Sequence, residues 1–354
     1  MSKFLRRLGE GAIGILLGAN VFTIVLLWGC IACAYIPSGQ HPRLSLACLA
    51  FPIFLLCNLC FVLMWTFVRR RLAFLSLLAV LLASPYIFDY CPIHFNSRPP
   101  KDAGALCIVT FNAGRMTADE FDALTEYLER VEPDIVCMQE FNSNWKTSER
   151  AVPLLESNYP YRLTKGGREI HARFPLEEMT DDLPFPTRSN GCMQCWVDIE
   201  GERVALFNIH LESNHLEDVD KQDYRNALKN PDEDQLRQSG RLMAGKLSEA
   251  ASYRGQQTDE LYKWLTENPE QSVIVCGDFN DTPISYTCQH LGRLLRSAYR
   301  ESGSGVGFSY NQKGFPVRID HVFYSPDWTS LYSEVDHRLS TSDHYPLVTY
   351  IKRK

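Results

Sequence analysis

Three uncharged apolar runs fill most of the first quarter of the chain, Ala12–Ile36, Leu44–Val68 and Leu72–Phe88. The first two are long enough for a helix, rising about 1.5 Å per residue, to cross about 30 Å of hydrocarbon. The third has about 17 residues, the lower limit for a span, and carries Pro85 near its end. Three such runs, separated only by short polar connectors, predict a bundle of three transmembrane helices rather than buried core helices or a cleaved leader.

Beyond Phe88 the pattern changes. The connector Asp89–Asp102 holds Pro92, Pro99 and Pro100 and reads as a tether. Short apolar strands then alternate with amphipathic helical stretches. Strands are expected at Leu106–Phe111, Ile135–Met138, Trp196–Ile199, Val204–Ile209, Ser272–Cys276, Ile319–Tyr324 and Leu347–Ile351. Helices are expected at Ala118–Arg130, Asp234–Tyr253 and Asp259–Glu267. Gly201 between two alternating strands marks a hairpin, so the sheets are mixed. The chain divides into a membrane region over 1–88, a linker over 89–102 and an α/β domain over 103–354.

Charge separates the same parts. Residues 1–102 contain nine Lys and Arg against three Asp and Glu, a balance of +6, which leaves −12 for residues 103–354. A general polyanion-binding protein is disfavoured by that second figure, and 45% hydrophobic content excludes intrinsic disorder. Lys3, Arg6 and Arg7 precede the first apolar run, Arg69–Arg71 separate the second from the third, and Arg43 alone lies in the other connector. Basic residues near a span are retained in the cytoplasm, so three crossings of an inner or plasma membrane place the domain on the non-cytoplasmic side, whereas two crossings, with Leu72–Phe88 not spanning, place it inside. Of 12 cysteines, five fall in the apolar runs. Cys107, Cys137 and Cys276 sit within strands as small hydrophobes. Cys192 and Cys195 form a single CxxC without a second pair, which disfavours zinc and leaves a disulfide open.

Polar residues collect where the strands end. Asn112 follows Leu106–Phe111, Glu140 follows Ile135–Met138, and His210 ends Val204–Ile209. The buried run Val273–Cys276 opens through Gly277 into Asp278, Phe279 and Asn280, with Asp278 and Asn280 at i and i+2. Arg318 and Asp320 flank Ile319, and Asp343-His344 precedes the last strand. These oxygen donors suit Mg²⁺ or Mn²⁺, and imidazoles exchange protons near neutral pH. Phosphate-ester cleavage needs both, a cation against phosphoryl charge and a base or oriented acid for water and leaving group.

At these positions the chain resembles the endonuclease/exonuclease/phosphatase superfamily over roughly residues 104–353. The motifs appear in the family's order: Thr110-Phe111-Asn112, Met138-Gln139-Glu140, Asn208-Ile209-His210-Leu211, Gly277-Asp278-Phe279-Asn280, Arg318-Ile319-Asp320 and Ser342-Asp343-His344-Tyr345-Pro346. Three spans before such a domain look like a membrane-tethered bacterial branch. The resemblance implies a DNase I-like two-sheet α/β sandwich flanked by helices. It implies Glu140 as principal Mg²⁺ ligand with Asn112 beside it and Asp343 in support. Asp278 would orient or deprotonate the attacking water, Asn280 would hold a phosphoryl oxygen, and His344 would contact the phosphate with Asp320 as its hydrogen-bonded partner. His210 would face the scissile group from the other side. Some members carry an acidic residue where this chain has Gly114, so a second ligand there is missing. Ile170–Pro175 looks like the family's strand ending in Pro, in a structural role.

Arg318 could grip phosphate bidentately or make an ion pair. Arg237 and Arg241 read as a solvated helix face. The implied activity is that of a membrane-anchored hydrolase acting on a phosphoester: nucleic acid, a phospholipid head group or a small phosphate, with the lipid bilayer as its second partner. A binding module that keeps the fold without the chemistry is the competing class.

Overall fold

The computed structural model describes residues 3–100, 104–114, 116–141, 151–187, 190–216, 233–312 and 316–354. The apolar N-terminal region forms helices α1 (Lys3–Cys33), α2 (Pro42–Ser45), α3 (Phe51–Val68), α4 (Arg70–Leu82) and α5 (Ser84–Tyr90), with a 3-10 turn at Leu46–Ala50 before α3. Two segments, Glu10–Cys33 and Pro42–Val68, are long and apolar enough to cross a membrane. The third expected span is bent by 58° between α4 and α5. Pro85 in the first turn of α5 explains the break, because it cannot continue the hydrogen bonding of the preceding helix.

The helices pack through a few buried polar contacts. The Asn20 side-chain oxygen accepts from Trp65 Nε1 and Ser76 Oγ, both at 2.9 Å, and Asn58 Nδ2 donates to the Thr23 carbonyl at 3.1 Å. Polar groups satisfied in this way hold helices together in an apolar medium. Ile15, Phe22, Ile53, Leu56, Leu63 and Phe67 meanwhile stay exposed, an apolar exterior of the kind a membrane covers.

The remaining chain builds two six-stranded sheets. In chain order its elements are β1 (Leu106–Asn112), α6 (Ala118–Val131), β2 (Ile135–Gln139), α7 (Ala151–Asn158), β3 (Tyr161–Lys165), β4 (Arg168–Ala172), β5 (Leu176–Glu178), β6 (Gly191–Ile199), β7 (Glu202–His210), α8 (Glu233–Glu267), β8 (Ser272–Asp278), α9 (Tyr286–Leu291), β9 (Arg296–Ser297), α10 (Ala298–Ser302), β10 (Asp320–Tyr324), β11 (Trp328–Val335) and β12 (Leu347–Arg353). The strand orders are β11-β12-β1-β2-β4-β3 and β5-β6-β7-β8-β10-β9. Each sheet has one parallel pair at its centre, β1 with β2 and β7 with β8, and antiparallel neighbours outside.

Alternation along the strands sends side chains to two faces. Ile108, Ile135, Cys137 and Ile170 of one sheet meet Cys195, Leu206, Ile274 and Val322 of the other in the central layer. Val109, Phe111 and Met138 face the other way, onto Phe121, Leu124 and Leu128 of α6. Phe207 and Val275 pack against Leu261 and Leu265 of α8. The two-sheet sandwich flanked by helices is the expected architecture. Cys192 and Cys195 are three residues apart on β6 and point to opposite faces, so the CxxC holds free thiols and no disulfide.

Two expectations change. The helical stretches Asp234–Tyr253 and Asp259–Glu267 are one continuous helix, α8. Gly255 within it is a close-approach position: a Cβ there would stand 2.4 Å from Gly39 N and 2.5 Å from Ser38 Oγ, so the connector between the first two long apolar helices rests on α8. The segment after α5 is not a loose tether. Pro92 O accepts from Gly305 N at 2.8 Å, His94 Nδ1 lies 3.0 Å from Gly303 O, and Arg98 Nη2 donates to Glu334 and Asp336 at 2.9 and 2.8 Å. The apolar N-terminal helices and the domain also share a core, because Ile284 is buried among Leu27, Ile31, Cys48 and Phe51.

Candidate active site

The site forms because strand register puts polar residues side by side at one end of both sheets. His210 pairs with Asp278 across parallel β7 and β8, and Asp278 pairs with Asp320 across antiparallel β8 and β10. On the other sheet Asn112 pairs with Gln139, the residue before Glu140. Gly277 makes the approach possible: its φ is +139°, and a Cβ there would lie 1.9 Å from the Ile209 carbonyl oxygen. Glu140 and Asn280 both take positive φ, 53° and 51°, which turns their side chains out of the strand direction.

Asp278 lies at the centre and is buried. Its Oδ1 accepts from Asn280 N at 2.8 Å and its Oδ2 from Asn112 Nδ2 at 3.0 Å. The same Asn112 amide donates to Glu140 Oε1 at 3.2 Å, while its oxygen accepts from Gly114 N at 3.2 Å. Asn112 therefore presents its nitrogen, not its oxygen, to the two carboxylates. Asn280 Nδ2 donates to Leu211 O at 3.0 Å.

His344 stands between two carboxylates. Its Nδ1 is 2.8 Å from Asp320 Oδ2 and its Nε2 is 3.7 Å from Asp278 Oδ2. Burial disfavours the charged ring, but the carboxylates of Asp320 and Asp278 outweigh that penalty and raise its pKa to about 10. His210 is opposite in character. Burial lowers its pKa, and its Nε2 lies 3.7 Å from both Glu140 Oε1 and Asp278 Oδ2 with no hydrogen-bond partner among the described residues. Burial raises the pKa of Asp278.

Asn112, Glu140, Asp278, Asn280, Asp343 and His344 all line one cleft of about 1230 Å³. His210 and Asp320 are buried beside it. Glu140, half exposed, and Asp343 are the solvent-facing carboxylates among these residues. Asp278, Asp320 and His344 also offer ligand atoms within 4.8 Å of one another. With both ring nitrogens of His344 directed at carboxylates, that trio is built for sharing a proton.

Arg318 is not among the cleft residues. Its buried guanidinium donates to the carbonyls of Val306 and Asp89 and stacks on Tyr299, 4.0 Å from the ring centre. Both sequence readings of it, a phosphate grip and an ion pair, give way to this carbonyl clamp on the end of α5. Arg237 and Arg241 are exposed on α8, as a solvated face requires. Residues not foreseen are Ser309, whose hydroxyl accepts from Ile319 N and Asp320 N at 3.0 and 3.1 Å, and Tyr310, whose ring meets that of His344 edge-on at 5.1 Å. Neither lies in a strand or a recognisable motif, so their role depends on the fold of the loop before β10.

A two-sheet sandwich with a carboxylate and imidazole cluster at the strand ends defines a class of α/β proteins, and sequence comparison identifies the family. A model of the endonuclease/exonuclease/phosphatase family matches residues 109–344, and the chain belongs to that family. A second model, described as a domain of unknown function, matches residues 14–90. No curated relative matches. Among solved structures, the human Nocturnin catalytic domain with bound sulfate anion is similar with a TM-score of 0.51 and 16% identity, covering 73% of this chain and 96% of that one. Truncated Caenorhabditis elegans TDP2 gives 0.48 and 19%, covering 70% and 98%. An endonuclease/exonuclease/phosphatase from Beutenbergia cavernae gives 0.49 and 16%, covering 70% and 72%.

Proposed function

We propose that the protein is a membrane-anchored, divalent-metal-dependent hydrolase of phosphoester bonds. The observation that carries this reading is the convergence of Glu140, Asn112, Asp278, His210 and the His344–Asp320 pair on one end of the sandwich. Glu140 and Asp343 are oxygen donors open to the cleft, the chemistry that Mg²⁺ or Mn²⁺ selects, and Asn112 holds Glu140 in place. Bound by them, such a cation would neutralise phosphoryl charge.

The chain's own groups supply the proton chemistry. Asp278, with Oδ1 tied to the Asn280 amide, directs Oδ2 toward an attacking water and takes up its proton as the P–O bond forms. His344, held by Asp320 and protonated at neutral pH, donates through Nε2 to a phosphoryl or leaving oxygen. The 3.7 Å between Nε2 and Asp278 Oδ2 is too long for a direct hydrogen bond, and an oxygen seated beside the pair would lie within hydrogen-bond reach of both. His210, kept neutral by burial, aims an unpartnered Nε2 at the same space. Asn280 at the cleft wall binds a second phosphoryl oxygen.

α1 and α3 are antiparallel, with Asn20 beside Trp65 and Cys30 beside Cys48. Arg69–Arg71 therefore lie at the end of the bundle opposite the domain, which supports three crossings with the domain outside the cytoplasm. The deciding experiment is hydrolysis of bis(4-nitrophenyl) phosphate by the detergent-solubilised full chain, with Mg²⁺, with Mn²⁺ and with EDTA. Turnover that survives excess EDTA rules the metal out, and a reporter fused after Lys354 that is active in the cytoplasm rules out the orientation.

A further inference from the structure

The cleft that holds Glu140, Asp278 and His344 is not closed by the catalytic domain alone. Its far wall is the membrane region: Leu46, Leu49, Pro52 and Ile53, at the turn before α3 and in its first turn. Met243, Ala244 and Leu247 of α8 line the same cleft. Leu49 is 43% exposed and Ile53 60% exposed. Ile53 continues along α3 into the exposed Leu56 and Leu63, so an apolar part of the cleft lining joins the exposed apolar face of α3.

The level is that of the bilayer interface. Tyr35, Tyr86 and Tyr90 cluster at this end of the bundle, with Tyr35 and Tyr86 hydroxyls 3.1 Å apart and Tyr90 packed on Phe51. Tyrosines gather where the apolar core gives way to head groups. Arg254 is the one Lys or Arg among the described cleft residues, and its guanidinium is engaged by Glu212 O, Asn214 Oδ1 and Asp281. A polyanion gains little from such a lining, whereas a molecule with one phosphate and long apolar chains matches both walls.

We propose that the substrate is a bilayer phospholipid. It enters sideways from the outer leaflet, with its chains along α3 and α8 and its phosphate ester at Glu140, Asp278 and His344. This rests on the hydrolase reading above and names its substrate. Water adds to phosphorus, the bond from phosphorus to one ester oxygen breaks, and that oxygen leaves as an alcohol carrying one of the water's protons. That proton reaches it by way of Asp278 and His344, and the water's other proton stays on the phosphomonoester or passes to solvent. No oxidant or further reactant is needed.

The test uses the full chain in nanodiscs of phosphatidylcholine, phosphatidylethanolamine and phosphatidylglycerol with Mg²⁺ or Mn²⁺. The comparison substrates are the matching water-soluble glycerophosphodiesters, bis(4-nitrophenyl) phosphate and single-stranded DNA. Chain binding that is used to lower the barrier raises turnover of the lipid over its chain-free counterpart by at least about ten-fold. In Ile53→Gln and Leu247→Gln the same preference falls toward unity. The first variant changes the membrane wall and the second the domain wall, so a folding defect in one leaves the other to report. Equal rates on lipid and glycerophosphodiester, or faster cleavage of DNA, overturn the lipid assignment while keeping the hydrolase. No hydrolysis of any ester with either metal overturns both.

Discussion

Asp278 and Asp320 are register partners on antiparallel β8 and β10, and His344 touches both carboxylates with its two ring nitrogens. Two buried acids this close would repel if both ionised alone, and the imidazolium between them removes the conflict. Asp320 thus acts through His344 rather than on the substrate. Asp320→Asn should lower kcat by on the order of 10²-fold with little change in KM, and His344→Ala should lower it at least as far. The double variant should be no worse than His344→Ala, and additive losses would show that Asp320 has a separate role.

Glu140 is half exposed and, among the described residues, takes one side-chain hydrogen bond, from Asn112. Glu140→Gln should therefore leave the circular dichroism spectrum and Tm unchanged. The concentration of Mn²⁺ needed for half-maximal rate should rise by about ten-fold or more. An unchanged metal titration would move the cation to other ligands.

Gly277 allows β7 and β8 to close at the site. Gly277→Ala would force its Cβ onto the Ile209 carbonyl and put alanine at φ +139°. A loss of more than about 2 kcal/mol of stability is expected, together with activity, because the register that pairs His210 with Asp278 is disturbed. Chemical denaturation of the detergent-solubilised chain reads the first, and hydrolysis the second.

Asp336 joins the connector to the sandwich. Burial would raise its pKa, but hydrogen bonds from Arg338 and Arg98 overcome this and lower it to about 2. A depressed acid contributes stability above its unfolded pKa of about 3.9 and loses it as pH falls toward 2. Arg98 and Arg338 both reach solvent, so screening holds the contribution to on the order of 1 kcal/mol. Asp336→Asn should lower Tm at neutral pH, and the difference from the parent should shrink between pH 4 and 2. A constant difference across that range would mean that charge is not the cause.

Much of this arrangement was legible in the chain. The apolar runs of β1, β2, β7, β8 and β12, and the polar residues just beyond them, mark the sandwich and the positions of its site. Other elements carry weaker signals. β11 alternates but holds Ser330, Ser333 and Glu334 on a strand with mixed burial, and β9 has only two residues. Asn208 and Gln139 lie within the motifs, and the sequence alone assigns neither a role. In the fold, Gln139 Nε2 donates to Asn208 Oδ1 at 2.7 Å, and Asn208 Nδ2 donates to the carbonyls of Met138 and Glu169, a polar rivet between the sheets. An isolated amide in an apolar strand signals such a bond without revealing its partner, which lies 69 positions away. Arg318 shows the same limit from the other side, because only the end of α5 explains where its guanidinium goes.

The binding of Pro92, His94 and Arg98 to the domain also fixes how far the enzyme can reach. A free connector of that length could let the catalytic end roam through roughly 45 Å above the surface. Fastened down, it holds the cleft at one height, like a plane iron set in its block. For the bilayer substrate proposed above, encounter would then be governed by lateral diffusion and by the number of molecules per unit area of membrane. Dissolving more of the same ester in the surrounding water would raise the rate far less than enriching it in the bilayer.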